Sequence, residues 1–309
     1  MKIGIIGSGG VGGFFGACLA KSGYDTTFIA RGEHLKAIQT NGLEIKSING
    51  DFKVQHVNVT DKITDIKRPD LIILGVKAWQ VKEIREYIKS ILHKESVVLP
   101  LQNGVMAYEE LAEKIDNKNI LGGLCRIISK IERPGVINHF GVKPSIVFGE
   151  MDKSNTPRLK KIQNAFQNAG IDCKISQDIE ADLWKKFIAI CVSGLMAISK
   201  TTYGEIREIK ETRKMMIGLF DEVFLLSQKM GINIENDYVA KTVSFIDKLP
   251  KNSTSSLRRD VLEGKPSEID YQNGTVVKLA EKYGVDTPIN RFVYSCILPM
   301  EMKARGQKT

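Results

Sequence analysis

The chain carries only four histidines and five cysteines among its 309 residues. A mechanism built on a pair of histidines is therefore a poor expectation, and any proton transfer calls for another carrier. Cys18, Cys125, Cys173, Cys191 and Cys296 form no C-x-x-C, and no histidine stands at zinc-finger spacing from them. No metal site is expected. The cysteine number is odd and most lie in apolar runs, which reads as buried thiols in a reducing cytoplasm. Long hydrophobic runs are missing too. Residues 3–6 are apolar, but glycines at 7, 9, 10, 12 and 13 interrupt any export-signal core. The uncharged run 187–199 is too short to cross a bilayer and contains Ser193 and Gly194, so it reads as a buried central helix and no membrane partner is expected. There is no internal repeat and no low-complexity linker.

The residues present describe a globular protein: 42% are hydrophobic and 26% charged. A length of 309 residues suits two domains. The formal net charge of +9 favours anionic partners. Nucleic acid is not among those expected, because no basic run is interleaved with aromatics. Only the tail, with Lys303, Arg305 and Lys308, is locally basic.

Strand and helix signals alternate through the first half. Strands are expected at 3–6, 26–30, 71–76, 97–101, 120–121, 127–131, 136–140, 145–148 and 171–175. Helices are expected at 11–22, 81–92 and from Thr156-Pro157 to about 169. From Asp178 the pattern turns helical, with segments at 179–200, 211–230, 235–247, 253–263, 268–283 and 290–304. Gly231 and Gly284 stand where helix C-caps belong. The reading is an α/β domain over residues 1–177 and an all-α domain over 178–309.

Gly7-Ser8-Gly9-Gly10-Val11-Gly12 fits G-x-G-x-x-G, follows a strand and opens a helix. In that setting the glycines permit a tight turn, a close approach to a pyrophosphate and close helix–strand packing. An NAD-binding chain usually places an acid after the second strand. Here Arg31 stands there, and a guanidinium pairs well with a 2′-phosphate, which favours NADPH. Glu33 is the competing ribose contact, and a solvated surface role remains open for Arg31. Lys77 and Asn103 follow apparently parallel strands, where open α/β sheets bind ligands. Spacing alone leaves each of them equally a turn residue.

With these pieces the chain resembles the ketopantoate reductase (2-dehydropantoate 2-reductase) family. The matching residues are the glycine motif, Arg31, Val76-Lys77-Ala78-Trp79-Gln80, Leu101-Gln102-Asn103-Gly104, Pro134-Gly135, Trp184-x-Lys186, Ser255-Ser256 with Asp260, and Ser267-Glu268-Ile269-Asp270. The resemblance implies a Rossmann-type α/β domain followed by an all-α domain like the C-terminal domain of 6-phosphogluconate dehydrogenase, with the active site in the cleft. It implies NADPH-dependent reduction of a small 2-oxo acid, ketopantoate to pantoate, in pantothenate and coenzyme A synthesis. It places Gly7 to Gly12, Arg31, Lys77, Asn103 and Glu268 at the cofactor. Lys186 resembles the proton donor, Glu268 an acid beside it, and Ser256 a contact to the substrate carboxylate.

An ammonium can both stabilise the charge that hydride delivery builds on a ketone oxygen and neutralise it. Lys185, about 100° around the helix, competes with Lys186 on spacing alone. Glu268 and Asp270 also read as first-turn acids of a helix, and Ser253, Ser255 and Ser256 as caps. Well-known members carry asparagines four and eight positions after the lysine. Here Ile190 and Gly194 stand in those places, and Ser193 or Asn252 are candidate substitutes. Two alternatives stand beside the main reading: a related reductase of another oxo acid, and a regulator that binds NADPH without chemistry. The assembly is left open, with a homodimer as one arrangement.

Overall fold

The computed structural model describes residues 1–307. Lys308, named above with the basic tail, lies outside the described residues. Packing divides the chain into an α/β unit, residues 1–102 with 106–179, and a helical unit, residues 103–105 with 180 onward.

The α/β unit runs β1 (Lys2–Ile6), α1 (Gly10–Lys21), β2 (Asp25–Ile29), α2 (Gly32–Asn41), β3 (Leu43–Ser47), β4 (Phe52–Val54), β5 (Asn58–Thr60) and β6 (Leu71–Leu74). It continues with α3 (Val81–Ile91), β7 (Val97–Pro100), α4 (Ala107–Ala112), β8 (Gly122–Arg126), β9 (Ser129–Arg133), β10 (Val136–His139), β11 (Ser145–Gly149), α5 (Pro157–Asn168) and β12 (Asp172–Ile175). Its main sheet is parallel, in the order β5-β2-β1-β6-β7. Both faces are covered, which is why β6 reads as an unbroken apolar run with all four residues buried. Phe14, Phe15 and Leu19 of α1 pack with Ile3, Ile5, Phe28, Leu71 and Ile73 on one face. Val81, Ile84 and Ile88, one stripe of α3, pack with Ile6, Ile72, Leu74 and Val98 on the other. Two smaller sheets follow, β4-β3-β10-β9 and β12-β11-β8. The first β–α turn leaves the carboxyl end of β1, between β2 and β6, where the strand order reverses.

The strand expected at 120–121 is only a single bridge from Ile120 to Val98. In the other direction, α2 and β3 to β5 were not foreseen. Their signal is short but present: Leu43 and Ile45 alternate inward along β3.

The helical unit contains α6 (Ile179–Ile190), which begins in the α/β unit, then α7 (Val192–Ser199), α8 (Tyr203–Glu208), α9 (Lys210–Lys229), α10 (Tyr238–Asp247), α11 (Ser256–Leu262), α12 (Asn273–Tyr283) and α13 (Pro288–Ala304). The helix expected over 179–200 is broken at Cys191, whose carbonyl accepts a 3.0 Å hydrogen bond from Asn273 Nδ2. The same amide group donates to Asn290 Oδ1 at 2.8 Å. Asn290 is held in turn by the buried Glu222, which also accepts the Ile289 and Asn290 backbone N–H groups at the start of α13. Among the described residues, no helix is long and apolar enough to cross a membrane.

Cys125 and Cys191 are buried and Cys18 and Cys173 half-buried, but Cys296 is exposed on α13, against the expectation of five buried thiols. Burial pushes the Cys191 thiol up, which makes it unreactive.

Candidate active site

The α/β unit builds a turn with an open side. Gly7 has φ +95, a conformation that side chains rarely adopt. A Cβ on Gly12 would overlap the Gly7 carbonyl oxygen, so α1 can meet β1 only through glycine. Gly75, not singled out from sequence, completes the contact, because its Cβ would lie 2.7 Å from Gly12 N. Gly9 differs: a Cβ there would meet nothing within 4 Å. The first turn of α1 has no acid and no side-chain cap, so its N–H groups and its dipole are left for an anion. Gly10 is backed by Ser129, whose Oγ is buried without a hydrogen-bond partner. Those features fit the diphosphate of a dinucleotide.

Ser8 is buried and its hydroxyl donates to Ile29 O at 3.1 Å, so its side chain ties the turn to β2. Val11 follows in the first turn of α1. Arg31 is exposed directly after β2, at the N-cap of α2. Glu33, its competitor, pairs with Lys36 at 2.9 Å, both side chains being largely exposed. Lys77 follows β6 with its Nζ 5.8 Å from the Trp79 ring centroid. Gln102 is buried and its amide donates to the Leu74 and Val76 carbonyls, joining the ends of β6 and β7.

In the helical unit two motifs far apart in sequence meet. Asn103 Nδ2 donates to Glu268 Oε2 at 3.2 Å across 165 positions. Glu268 is 5% exposed. It does not lie in the first turn of a long helix, as its sequence suggested. It caps a single 3-10 turn at 269–271, and α12 begins only at Asn273. The neighbouring side chains explain the departure. Ser267 Oγ and N donate to the buried Glu301, which also pairs with Arg305 at 2.6 Å. Asp270 accepts from Tyr294 Oη at 2.8 Å. Burial, and then that hydrogen bond, pushes the Tyr294 phenol up to about 12. The turn carrying Glu268 is therefore pinned to α13 on both sides.

Lys185 and Lys186 are neighbours on α6. Lys185 pairs with Glu235 at 2.7 Å and lies over the Tyr238 ring. The ammonium, a hydrogen-bond donor to Glu235, holds that carboxyl down to about 2. Lys186 is partly buried one residue on, beside the buried Trp184 and Phe187, whose rings meet edge-on. Ser255 accepts from Arg258 N and is the cap of α11, so Ser256 is its first helical residue rather than its cap.

Gly194 is a packing requirement. A Cβ there would lie 2.5 Å from Val293 Cγ1 and 2.7 Å from Asn273 Oδ1. Asn252 is exposed, Ser193 is buried against Tyr203, and Ile190 is partly exposed on α6.

Residues 3–153 match the family described as Ketopantoate reductase PanE/ApbA, and residues 178–301 match that family's C-terminal region. The chain belongs to the ketopantoate reductase family. It is accordingly an oxidoreductase of the class acting on CH–OH groups. An oxidoreductase of Bacillus subtilis described as uncharacterized is 29% identical over 96% of this chain and 97% of its own length. A Nostoc protein named 2-dehydropantoate 2-reductase is 29% identical over 100% of this chain and 98% of its own. The structure of 2-dehydropantoate 2-reductase from Geobacter metallireducens superposes with a TM-score of 0.90 at 29% identity, covering 98% of this chain and 100% of that one. A D-mandelate dehydrogenase solved with NADH superposes at 0.87 and 25% identity, covering 98% of this chain and 100% of its own. The fold expected from the sequence, a Rossmann-type domain followed by an all-α domain, is that of this family.

Sequence reasoning missed Gly75, Ser129 and His34 around the glycine turn, and Glu301, Tyr294 and Asn273 behind the helical motifs. Gly75 had a local signal, a glycine ending a buried apolar strand. The others act through partners distant in sequence and carry no local pattern.

Proposed function

We propose that this ketopantoate reductase family member reduces a 2-oxo acid with NADPH, taking 2-dehydropantoate to pantoate, with Lys186 as proton donor. Residues 1–177 would form the NADP-binding domain and 178–309 the substrate domain. The reading is carried by the meeting of Asn103 and Glu268, which joins two of the motifs behind the family resemblance at one buried carboxylate.

The glycine turn, open at Gly9, would hold the cofactor diphosphate on the N-terminal N–H groups of α1. Arg31 would pair with the 2′-phosphate, and Lys77 and Asn103 would contact the ribose and nicotinamide portions. Once bound, the cofactor supplies a hydride to the carbonyl carbon. Lys186 presents its ammonium to the carbonyl oxygen, stabilises the negative charge that develops and transfers a proton to it. Glu268, oriented by Asn103, favours the charged form of a neighbouring ammonium and so keeps the lysine an acid. The Ser256 hydroxyl, at the start of α11, donates a hydrogen bond to the substrate carboxylate. Purified protein should oxidise NADPH, followed by absorbance, when 2-dehydropantoate is added. Absence of turnover with that acid, while other oxo acids react, would remove the pantoate reading.

A second reading, another 2-oxo acid with a more apolar substituent, is favoured by one observation. Ile190 is partly exposed one turn after Lys186, and Gly194 is filled by packing. An aliphatic surface discriminates between substituents by their buried apolar area. A panel of 2-oxo acids with polar, branched aliphatic and aryl substituents separates the two by relative kcat/KM.

Gly9 offers a test that separates binding from folding. Its φ of −73 suits any residue, and its Cβ direction is open. Gly9→Ala is expected to melt within about 0.5 kcal/mol of wild type, as unstrained surface changes do. It should weaken NADP+ by about 10-fold or more, from overpacking of about 1–3 kcal/mol against the diphosphate. Calorimetric binding and a thermal melt check both halves.

A further inference from the structure

His34 is bonded through both ring nitrogens, one to the glycine turn and one to the β9–β10 turn. Its Nε2 lies 2.9 Å from the Ser8 carbonyl oxygen, inside that turn. Its Nδ1 accepts the Gly135 backbone N–H at 3.1 Å. A backbone N–H can only donate and a carbonyl can only accept, so the ring is neutral with its proton on Nε2. Gly135 is itself fixed, since its carbonyl accepts from Glu44 N and its φ is +78. A Cβ on Gly135 would lie 3.2 Å from Ala37 Cβ, so this turn is packed onto α2. His34 lies in the first turn of α2, one turn after Arg31. One imidazole thus joins three parts of the cofactor framework: the carbonyl of the glycine turn, the helix that begins at Arg31, and the β9–β10 turn.

We propose that His34 is a positioning residue for the dinucleotide, competent when neutral, so that its protonation uncouples α2 and the glycine turn it holds from the β9–β10 turn and weakens the cofactor. The inference rests on the dinucleotide reading of that turn. Protonation puts a second N–H on Nδ1, facing the Gly135 N–H, and that bond is lost. Burial holds the imidazole below the usual histidine range, while the Ser8 carbonyl pulls the other way. No charged side chain contributes to that shift. On its own helix the charged groups are Arg31 and the Glu33–Lys36 pair. β5, packed against α2, carries no charged residue, and on the strands that flank the Gly135 turn Glu132 pairs with Lys46 and Arg133 with Glu44. The sign follows from the lowered value. The contribution is complete above pH about 6.5 and is lost as pH falls toward and through the folded-state value.

NADP+ affinity should be measured calorimetrically from pH 5 to 8 on wild type and His34→Gln. The glutamine amide keeps one donor and one acceptor and does not titrate. A 2′-phosphate also titrates near pH 6, as phosphate monoesters do. That effect is common to both proteins, so the difference between the two profiles isolates His34. Wild-type affinity is expected to fall at least about 5-fold more than that of His34→Gln between pH 7.5 and 5.5, as coupled sites do. Superimposable profiles would overturn the proposal. Failure of both proteins to bind NADP+ at any pH would overturn the dinucleotide reading instead. Should His34→Gln not fold, the His34 ring nitrogens of wild type can be titrated by NMR with and without saturating NADP+. Linkage requires bound cofactor to lower the titration midpoint. An unchanged midpoint contradicts the proposal.

Discussion

Lys186→Ala is expected to lower kcat by about 10²–10⁴-fold, the range seen when a positioned proton donor is removed. NADP+ affinity should stay near wild type, because the substitution leaves the glycine turn and Arg31 intact. Steady-state kinetics together with direct binding separate the two quantities. The matching control is Lys185→Ala. Lys185 is committed to Glu235 at 2.7 Å on a partly exposed surface. Its loss should leave kcat close to wild type and change stability by no more than about 1 kcal/mol. If Lys185→Ala abolished turnover and Lys186→Ala did not, the assignment of the two neighbours would be reversed. Lys186→Arg sharpens the test: a guanidinium keeps the charge but does not give up a proton in the working pH range. It should rescue little of kcat if the proton is the point, and much of it if only the charge matters.

Arg31→Ala is expected to raise the Kd for NADPH by about 10–100-fold while leaving NADH within a factor of about two. Hydrogen bonds to charged groups contribute about 1.5–3 kcal/mol, and a guanidinium matches a phosphate in two-pronged geometry. Arg31 is exposed at the cap of α2 and holds up no core, so the variant should fold normally. Equal loss for the two nucleotides, or no loss for either, would remove Arg31 from the cofactor site.

The parts of the molecule readable from sequence are those whose cause is local. Gly7 and Gly12 are glycines because a turn and a close helix–strand contact within one β–α unit require them, and the motif states that need in six adjacent letters. β6 is an unbroken apolar run because helices cover both faces of its sheet. The same holds for α5, opened by Thr156 and Pro157 with Leu159, Ile162 and Phe166 turned inward.

Where the reading went astray, the cause lay far along the chain. The uncharged stretch around Cys191 looks like one helix, and local propensity supports one. The break comes from Asn273, which takes the Cys191 carbonyl from 82 positions away. Ser267 to Tyr271 looks like the opening of α12. Glu301 and Tyr294 hold its side chains and delay the helix to Asn273. His34 was passed over because a lone histidine in a helix carries no pattern. Its partners are 26 and 101 positions distant. The ion pair of Lys185 was likewise illegible, since Glu235 comes from a separate segment.

The most direct measurement is NADPH oxidation by the purified protein with 2-dehydropantoate as sole acceptor, repeated with NADH and with other 2-oxo acids. Turnover of a 2-oxo acid is expected, faster with NADPH than with NADH, giving the 2-hydroxy acid in one-to-one yield. Tight NADPH binding with no oxidation by any oxo acid would contradict it and leave a protein that binds the nucleotide without doing chemistry.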